Sequence, residues 1–223
     1  MRTEKFLVSV HLRKCGGTTF STSLQKHYGT RLLLDYGDEL GSSWPSSVRK
    51  RSASLLQVNH ERDHIETCFD AVHGHFDPRK YSCIRGEKQL ISFVRNPIQR
   101  VLSNYFYLKR TVIREHPDHY VVGKLGFTLE EYVRYPDARN VQSKGLGPRA
   151  INTYAFLGLT ERMKTSLLEL NSQLGLSLLL SDDENVNPSA DRDYEISDRM
   201  KKLIRKNNRQ DLSLYESVEA RFS

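Results

Sequence analysis

The chain has 223 residues, of which 38% are hydrophobic and 27% charged, with only 13 Gly and 7 Pro. That balance supports a packed core and excludes fibrous, low-complexity and largely disordered classes. No run approaches the roughly 18–20 apolar residues of a bilayer span, and Lys and Arg exceed Asp and Glu by 34 to 27, a net charge of +7 that suits an anionic partner.

Three cysteines (Cys15, Cys68, Cys83) form no CxxC pair, and the first ten residues hold no apolar leader or small-residue cleavage site. The expected setting is a reducing, cytoplasmic one.

In chain order, Lys5–Leu12 reads as a buried strand that runs into a Gly-Gly turn, and Thr18–Tyr28 as a helix stopped by Gly29. Residues 37–50, with two glycines, Pro45 and four serines, read as a loop, and His60–Cys68 fits either helix or strand. Phe69–His73 and Gln89–Val94 read as strands, the second followed by the helix-start signal Asn96-Pro97. Pro97–Arg110 carries the apolar spacing of one helical face; Thr128–Tyr135 reads as a short helix and Pro136–Pro148 as a loop. Tyr154–Gly158 reads as a strand, Thr160 caps a helix to about Gln173, Ser181–Asp193 is a polar loop, and Ser197–Asn207 and Asp211–Phe222 are amphipathic helices. This alternation predicts an α/β class: one domain over residues 1–223, with a central parallel sheet flanked by helices.

The most informative segment is Phe6–Phe20, where a buried strand enters Arg13-Lys14-Cys15-Gly16-Gly17-Thr18-Thr19 and a helix opens. Glycines let backbone N–H groups converge, the helix N-terminus adds partial positive charge, Lys14 adds a point charge, and Thr18 and Thr19 add hydroxyls. Such a P-loop-like turn binds a phosphate or another tetrahedral oxyanion, although the lysine precedes the glycines, unlike a Walker A loop. A second anion site follows Leu90–Val94, where Arg95 stands at a strand end and Ser103 lies on the next helix, with Arg100, Asn104 and Tyr107 on the same polar face. Leu90–Val94 ends in Arg95, Asp70 lies early in its strand, and no other apolar run delivers a carboxylate to the sheet edge to hold Mg²⁺ beside phosphates. The expected chemistry therefore requires no metal.

His73 and His75 flank Gly74 at a strand end and should point to the same side. Histidine is suited to take a proton from an alcohol at neutral pH, so His75 is the candidate base and His73 its helper. A zinc site would need a third ligand; Asp77 is available, with no cysteine cluster in support. The remaining histidines, His11 among them, are read as structural or surface.

Taken together, His11–Phe20 resembles the 5′-phosphosulfate loop of sulfotransferases that use 3′-phosphoadenosine 5′-phosphosulfate (PAPS), and Phe93–Tyr105 resembles their 3′-phosphate motif. Val72–Phe76 is similar to the segment bearing the base in the heparan and uronyl 2-O-sulfotransferase branch, and Asn140–Lys144, Phe156–Arg162 and the ending with Tyr215, Arg221 and Phe222 also resemble that branch. Arg13 stands where that family usually has Pro, and Cys15 where Thr or Ala is commoner. The resemblance implies PAPS as the sulfuryl donor, with PAP as product. It places Arg13 through Thr19 on the 5′-phosphosulfate, with Lys14 stabilising the leaving oxygen, Arg95 and Ser103 on the 3′-phosphate, and His75 as base. Residues Asn185–Ser189 would close over the nucleotide. The acceptor implied is a hydroxyl, on an anionic or neutral saccharide, with Lys109, Arg110, Lys144 and Arg149 near the acceptor loops. Two other readings compete: a P-loop nucleotide kinase or NTPase, and a non-catalytic PAP- or polyanion-binding module. A nucleic-acid partner is not expected, because basic residues interleaved with aromatics occur only around Tyr105–Arg110.

Overall fold

The computed structural model describes residues 5–38, 45–111, 119–147, 150–180 and 196–222. Strand β1 (Phe6–Val10) is nowhere more than 2% exposed, as expected for a strand covered on both faces. It lies at the centre of five parallel strands in the order β2-β3-β1-β4-β5, with β2 Leu32–Asp35, β3 Ala71–Gly74, β4 Lys88–Val94 and β5 Phe156–Leu159. Alternation along β1 divides the core. Phe6, Val8 and Val10 pack with Val58, Ile65, Leu214 and Val218 on one face, whereas Leu7 packs with Phe20, Leu24, Leu167 and Leu170 on the other. Each fully buried side chain of this size contributes about 1.5–3 kcal/mol. The parallel sheet between helical layers is the architecture the sequence predicts. Among the described residues no helix is long and apolar enough to cross a membrane.

Helix α1 (Gly17–Tyr28) follows β1, and α4 (Pro97–Arg110) follows β4. Asn96 caps α4 as expected, its Oδ1 accepting from the N–H groups of Ile98 (3.0 Å) and Gln99 (3.4 Å).

Several elements differ from the sequence reading. Part of the expected 37–50 loop is helical, because α2 (Pro45–His60) starts at Pro45, whose missing N–H costs nothing in a first turn. The ambiguous stretch becomes helix α3 (Arg62–Cys68). β2 has no counterpart in the reading: it is a four-residue edge strand of three leucines, only part-buried and without β-branched residues. It also brings Asp35 to the carboxyl edge, correcting the expectation that no carboxylate reaches it. That carboxylate accepts from the Tyr81 hydroxyl (2.8 Å) and pairs with Lys80 (2.5 Å). The expected Pro136–Pro148 loop contains a helix, Val141–Leu146. Its free N–H groups are capped from far away: Asp211 accepts from Gln142 N–H (3.2 Å) and from Ser143 N–H and Oγ (both 2.8 Å). Ser181–Asp193, including Asn185–Ser189, lies outside the described residues, as does Arg149.

Asp211 is fully buried, so Asp211→Ala leaves three donors unpaired, the buried Gln142 N–H and two on half-buried Ser143. The expected result is a loss of about 3 kcal/mol of unfolding free energy with an unchanged m-value, measured by urea denaturation.

Candidate active site

The chain leaves β1 at His11 and turns into α1 within six residues. Two left-handed residues make the turn possible, Lys14 (φ 65°) and Gly16 (φ 72°). The fit is tight: a Cβ on Gly16 would lie 2.5 Å from Met163 Cε, and one on Gly17 would lie 1.7 Å from His11 Nε2. The two glycines thus form a cradle whose walls are already in contact. No acidic residue stands in the first turn of α1, so its unpaired N–H groups keep their positive field for an anion. Thr18 is exposed and Thr19 half-buried at this opening.

Cations converge on the same turn. The Arg95 guanidinium donates to the Lys14 carbonyl (3.2 Å), and the Lys14 ammonium lies 4.5 Å from the centre of the Tyr107 ring. Burial lowers the Lys14 pKa, and the charges of Arg95 and Arg110 lower it further. A bound anion would offset the mutual repulsion of such a cluster. Ser103 is 6% exposed, one turn before Tyr107 on α4, and therefore on the face that receives Lys14. The polar face expected on α4 is not at the surface. Arg100 and Asn104 are buried, donating to the Ala138 carbonyl (3.2 Å) and to the Tyr132 hydroxyl (2.6 Å). Cys15 points inward with its thiol 3.4 Å from Gln142 Oε1, and burial pushes its pKa up to about 12. It stays a thiol and contributes backbone only.

Gln142, Glu161 and Asn96 hold the second limb. The Gln142 side-chain amide pairs with the Arg95 backbone, accepting from its N–H (2.8 Å) and donating to its carbonyl (2.9 Å). Glu161 accepts from the Asn96 N–H (2.7 Å), and burial raises its pKa. Neither role was visible beforehand, because both partners come from later in the chain.

The third part is a stack of imidazoles on the α1 side of the sheet. Ser9 and His73 are register partners on neighbouring strands, and their side chains are 2.8 Å apart. The ring of His11 lies 5.3 Å from that of His73 and 4.3 Å from that of His75, stacked on both, with Tyr36 edge-on to all three. His11, read from sequence as structural or surface, thus packs against the rings of both candidate histidines. Gly74 separates His73 from His75 because a Cβ there would meet the Asp35 carbonyl at 1.6 Å. His75 Nδ1 lies 2.6 Å from the His11 carbonyl oxygen. A carbonyl can only accept, so Nδ1 carries the proton and Nε2 keeps its lone pair. Burial is the first cause of the lowered pKa at all three rings: His11 falls well below its ordinary value, His73 to about 3 and His75 to about 4, with the charge of Arg13 adding to the shift at His75. Among the described residues no group of three or more His, Cys, Asp or Glu side chains is arranged to hold a metal ion.

The site thus brings Lys14, the two glycines, Arg95 and the histidines to one edge of the sheet. It can hold an oxyanion with fixed donors and offers a neutral imidazole lone pair.

Comparison with protein-family models finds no match, and neither does comparison with curated proteins. Solved structures do resemble the chain. A sulfotransferase from Alicyclobacillus acidocaldarius superposes with a TM-score of 0.56 at 14% identity, covering 98% of this chain and 96% of that one. A sulfotransferase domain from the curacin biosynthetic pathway gives 0.45 at 9% identity, covering 92% and 98%. Mouse sulfotransferase SULT7A1 complexed with PAP gives 0.41 at 12% identity, covering 95% and 67%. The chain has the fold of the first of these.

The three imidazoles titrate at about 6.5 in the unfolded chain and lower in the folded one. The stability they contribute is complete above pH 6.5 and is lost as pH falls toward 4. Melting temperature should drop steadily over that window, and the drop should be shallower in His73→Asn. An equal slope in both proteins would contradict the assignment.

Proposed function

We propose that this protein is a sulfotransferase that moves a sulfuryl group from PAPS to an acceptor hydroxyl. The observation that carries the reading is the pairing of an oxyanion cradle with His75, whose Nδ1 is tied to the backbone of the strand that leads into that cradle. The motifs that resemble the 5′-phosphosulfate and 3′-phosphate elements supply the residues, and the fold agrees. PAPS brings an activated S–O bond that needs no covalent enzyme intermediate.

His75 Nε2 takes the proton of the acceptor hydroxyl as its oxygen bonds to sulfur. Lys14 and the N–H groups of the Gly16–Thr19 turn receive the negative charge that gathers on the bridging oxygen as its bond to sulfur breaks. Fixed donors of this kind typically account for 10²–10³ in rate each. Arg95 and Ser103 hold the 3′-phosphate. His73 and His11 keep the His75 ring in place, and their own neutrality prevents charge repulsion when His75 becomes an imidazolium. In the free protein His75 is neutral at pH 7; anionic charge beside it raises its pKa toward the range that suits a general base. The proposed acceptor is a saccharide hydroxyl, in keeping with the resemblance to the 2-O-sulfotransferase branch and with Lys109, Arg110 and Lys144.

Calorimetric titration with PAP and with ATP, both in excess EDTA, tests the donor. PAP should bind at least tenfold more tightly than ATP, and Lys14→Ala or Arg95→Ala should weaken PAP by roughly ten- to hundredfold. His75→Ala should keep PAP affinity and lower transfer from radiolabelled PAPS onto a saccharide panel by about 10²–10⁴-fold. ATP binding that appears only with Mg²⁺, without PAP binding, would instead identify a nucleotide kinase or NTPase. PAP binding with no effect of His75→Ala on any transfer would identify a binding module.

A further inference from the structure

We propose that Lys80 is a positioning residue for His75: its buried ammonium holds the chain that leaves β2 against the end of β3. The inference rests on the reading of His75 as the base. His75 stands one residue past β3, beyond the last register pair, Asp35 with Gly74. Two hydrogen bonds place it there. Its ring Nδ1 donates to the His11 carbonyl (2.6 Å), and its own carbonyl accepts from the Asp38 N–H (3.1 Å). The first bond fixes the ring and the second fixes the backbone from which the ring hangs.

Asp38 lies three residues past the end of β2, and a lysine holds that stretch. Lys80 is 6% exposed; its Nζ is 2.5 Å from Asp35 Oδ2 and 3.8 Å from Asp38 Oδ1. The Tyr81 hydroxyl donates to the same Asp35 oxygen (2.8 Å). Lys80 and Tyr81 belong to a short 3₁₀ turn, Pro78–Tyr81, whose cap is the Asp77 side chain accepting from the Arg79 N–H (2.9 Å). The chain thus closes a ring, from His75 through the turn to Lys80, across to Asp35 and Asp38, and back to the His75 carbonyl. Leu34 is the register partner of His73, so Asp35 projects to the face opposite the imidazoles. The charge that lowers the His75 pKa is that of Arg13, not of this cluster, so Lys80 acts on the base by placing it. Burial raises the Asp38 pKa and the Lys80 charge opposes that rise. Without the ammonium, two buried carboxylates would face each other and the stretch would shift off β3. Buried ion pairs often add little net stability over apolar residues of the same volume; what this one specifies is a single arrangement.

Lys80→Met keeps most of the stem and removes the charge, and Lys80→Arg keeps the charge. In Lys80→Met, nitrogen-15 NMR should show His75 without its fixed Nδ1–H tautomer and titrating at about pH 5 or above. Its kcat for transfer should fall about 10–100-fold, with the KM for PAPS and the affinity for PAP within about twofold of wild type. Lys80→Arg should recover most of the kcat. Thermal melts establish folding. If Lys80→Met does not fold, Lys80→Met/Asp38→Asn, which keeps the net charge of the cluster, is read in the same way. A folded variant in which His75 keeps the Nδ1–H tautomer and titrates near pH 4 would overturn the proposal, because a merely structural ion pair lowers the melting temperature and leaves the imidazole unchanged. Absence of transfer by the wild-type chain would sink the sulfotransferase reading alone, since the NMR comparison still decides whether Lys80 places the ring.

Discussion

The contact between the His11 ring and the Cα of Gly17 governs the geometry of the site. A side chain at residue 17 would occupy the same space as that ring, so the His11 ring can pack on α1 only where its first residue is glycine. Docking there brings the free N–H groups of the helix to the edge of β1, and it traps His11 between α1 and the rings of His73 and His75. The same residue then uses its carbonyl to fix the His75 proton on Nδ1. One close approach therefore sets the position of the anion cradle, the burial of the histidines and the tautomer of the candidate base. Lys14 adopts a left-handed conformation in the same turn, rare for a residue with a side chain and characteristic of functional turns.

Two electrostatic environments meet at this edge. On the α4 side, Lys14, Arg95 and Arg110 lie close enough to depress the lysine's pKa. On the β3 side, burial keeps three imidazoles neutral at physiological pH. An anion entering between them relieves the first environment and shifts the second toward proton uptake. The buried Gln142–Asp211 link ties the two limbs to the C-terminal helix, so that the Arg95 backbone is positioned by residues far along the chain.

What the sequence made legible was local. A continuous apolar strand, a Gly-Gly turn and a helix are encoded within fifteen residues, and the His-Gly-His spacing already places two rings on one side. Asn96 and Pro97 announce α4 for the same reason. What stayed hidden was tertiary. The helix at Val141–Leu146 looks like a loop because its cap, Asp211, is supplied from far along the chain. β2 is an edge strand of leucines, held by pairing with β3 and not by propensity. His11 looks like any strand-end histidine until α1 folds over it, and Glu161 becomes part of the site only when β5 aligns beside β4.

The most direct test of this account is a nitrogen-15 NMR titration of the His75 imidazole in the free protein. The account predicts a neutral Nδ1–H tautomer at pH 7 that takes up its proton only near pH 4, well below the ordinary histidine range. An Nε2–H tautomer would contradict it, because Nε2 would then lack the lone pair on which proton abstraction depends, and a pKa at or above 6.5 would contradict the burial that keeps the ring neutral.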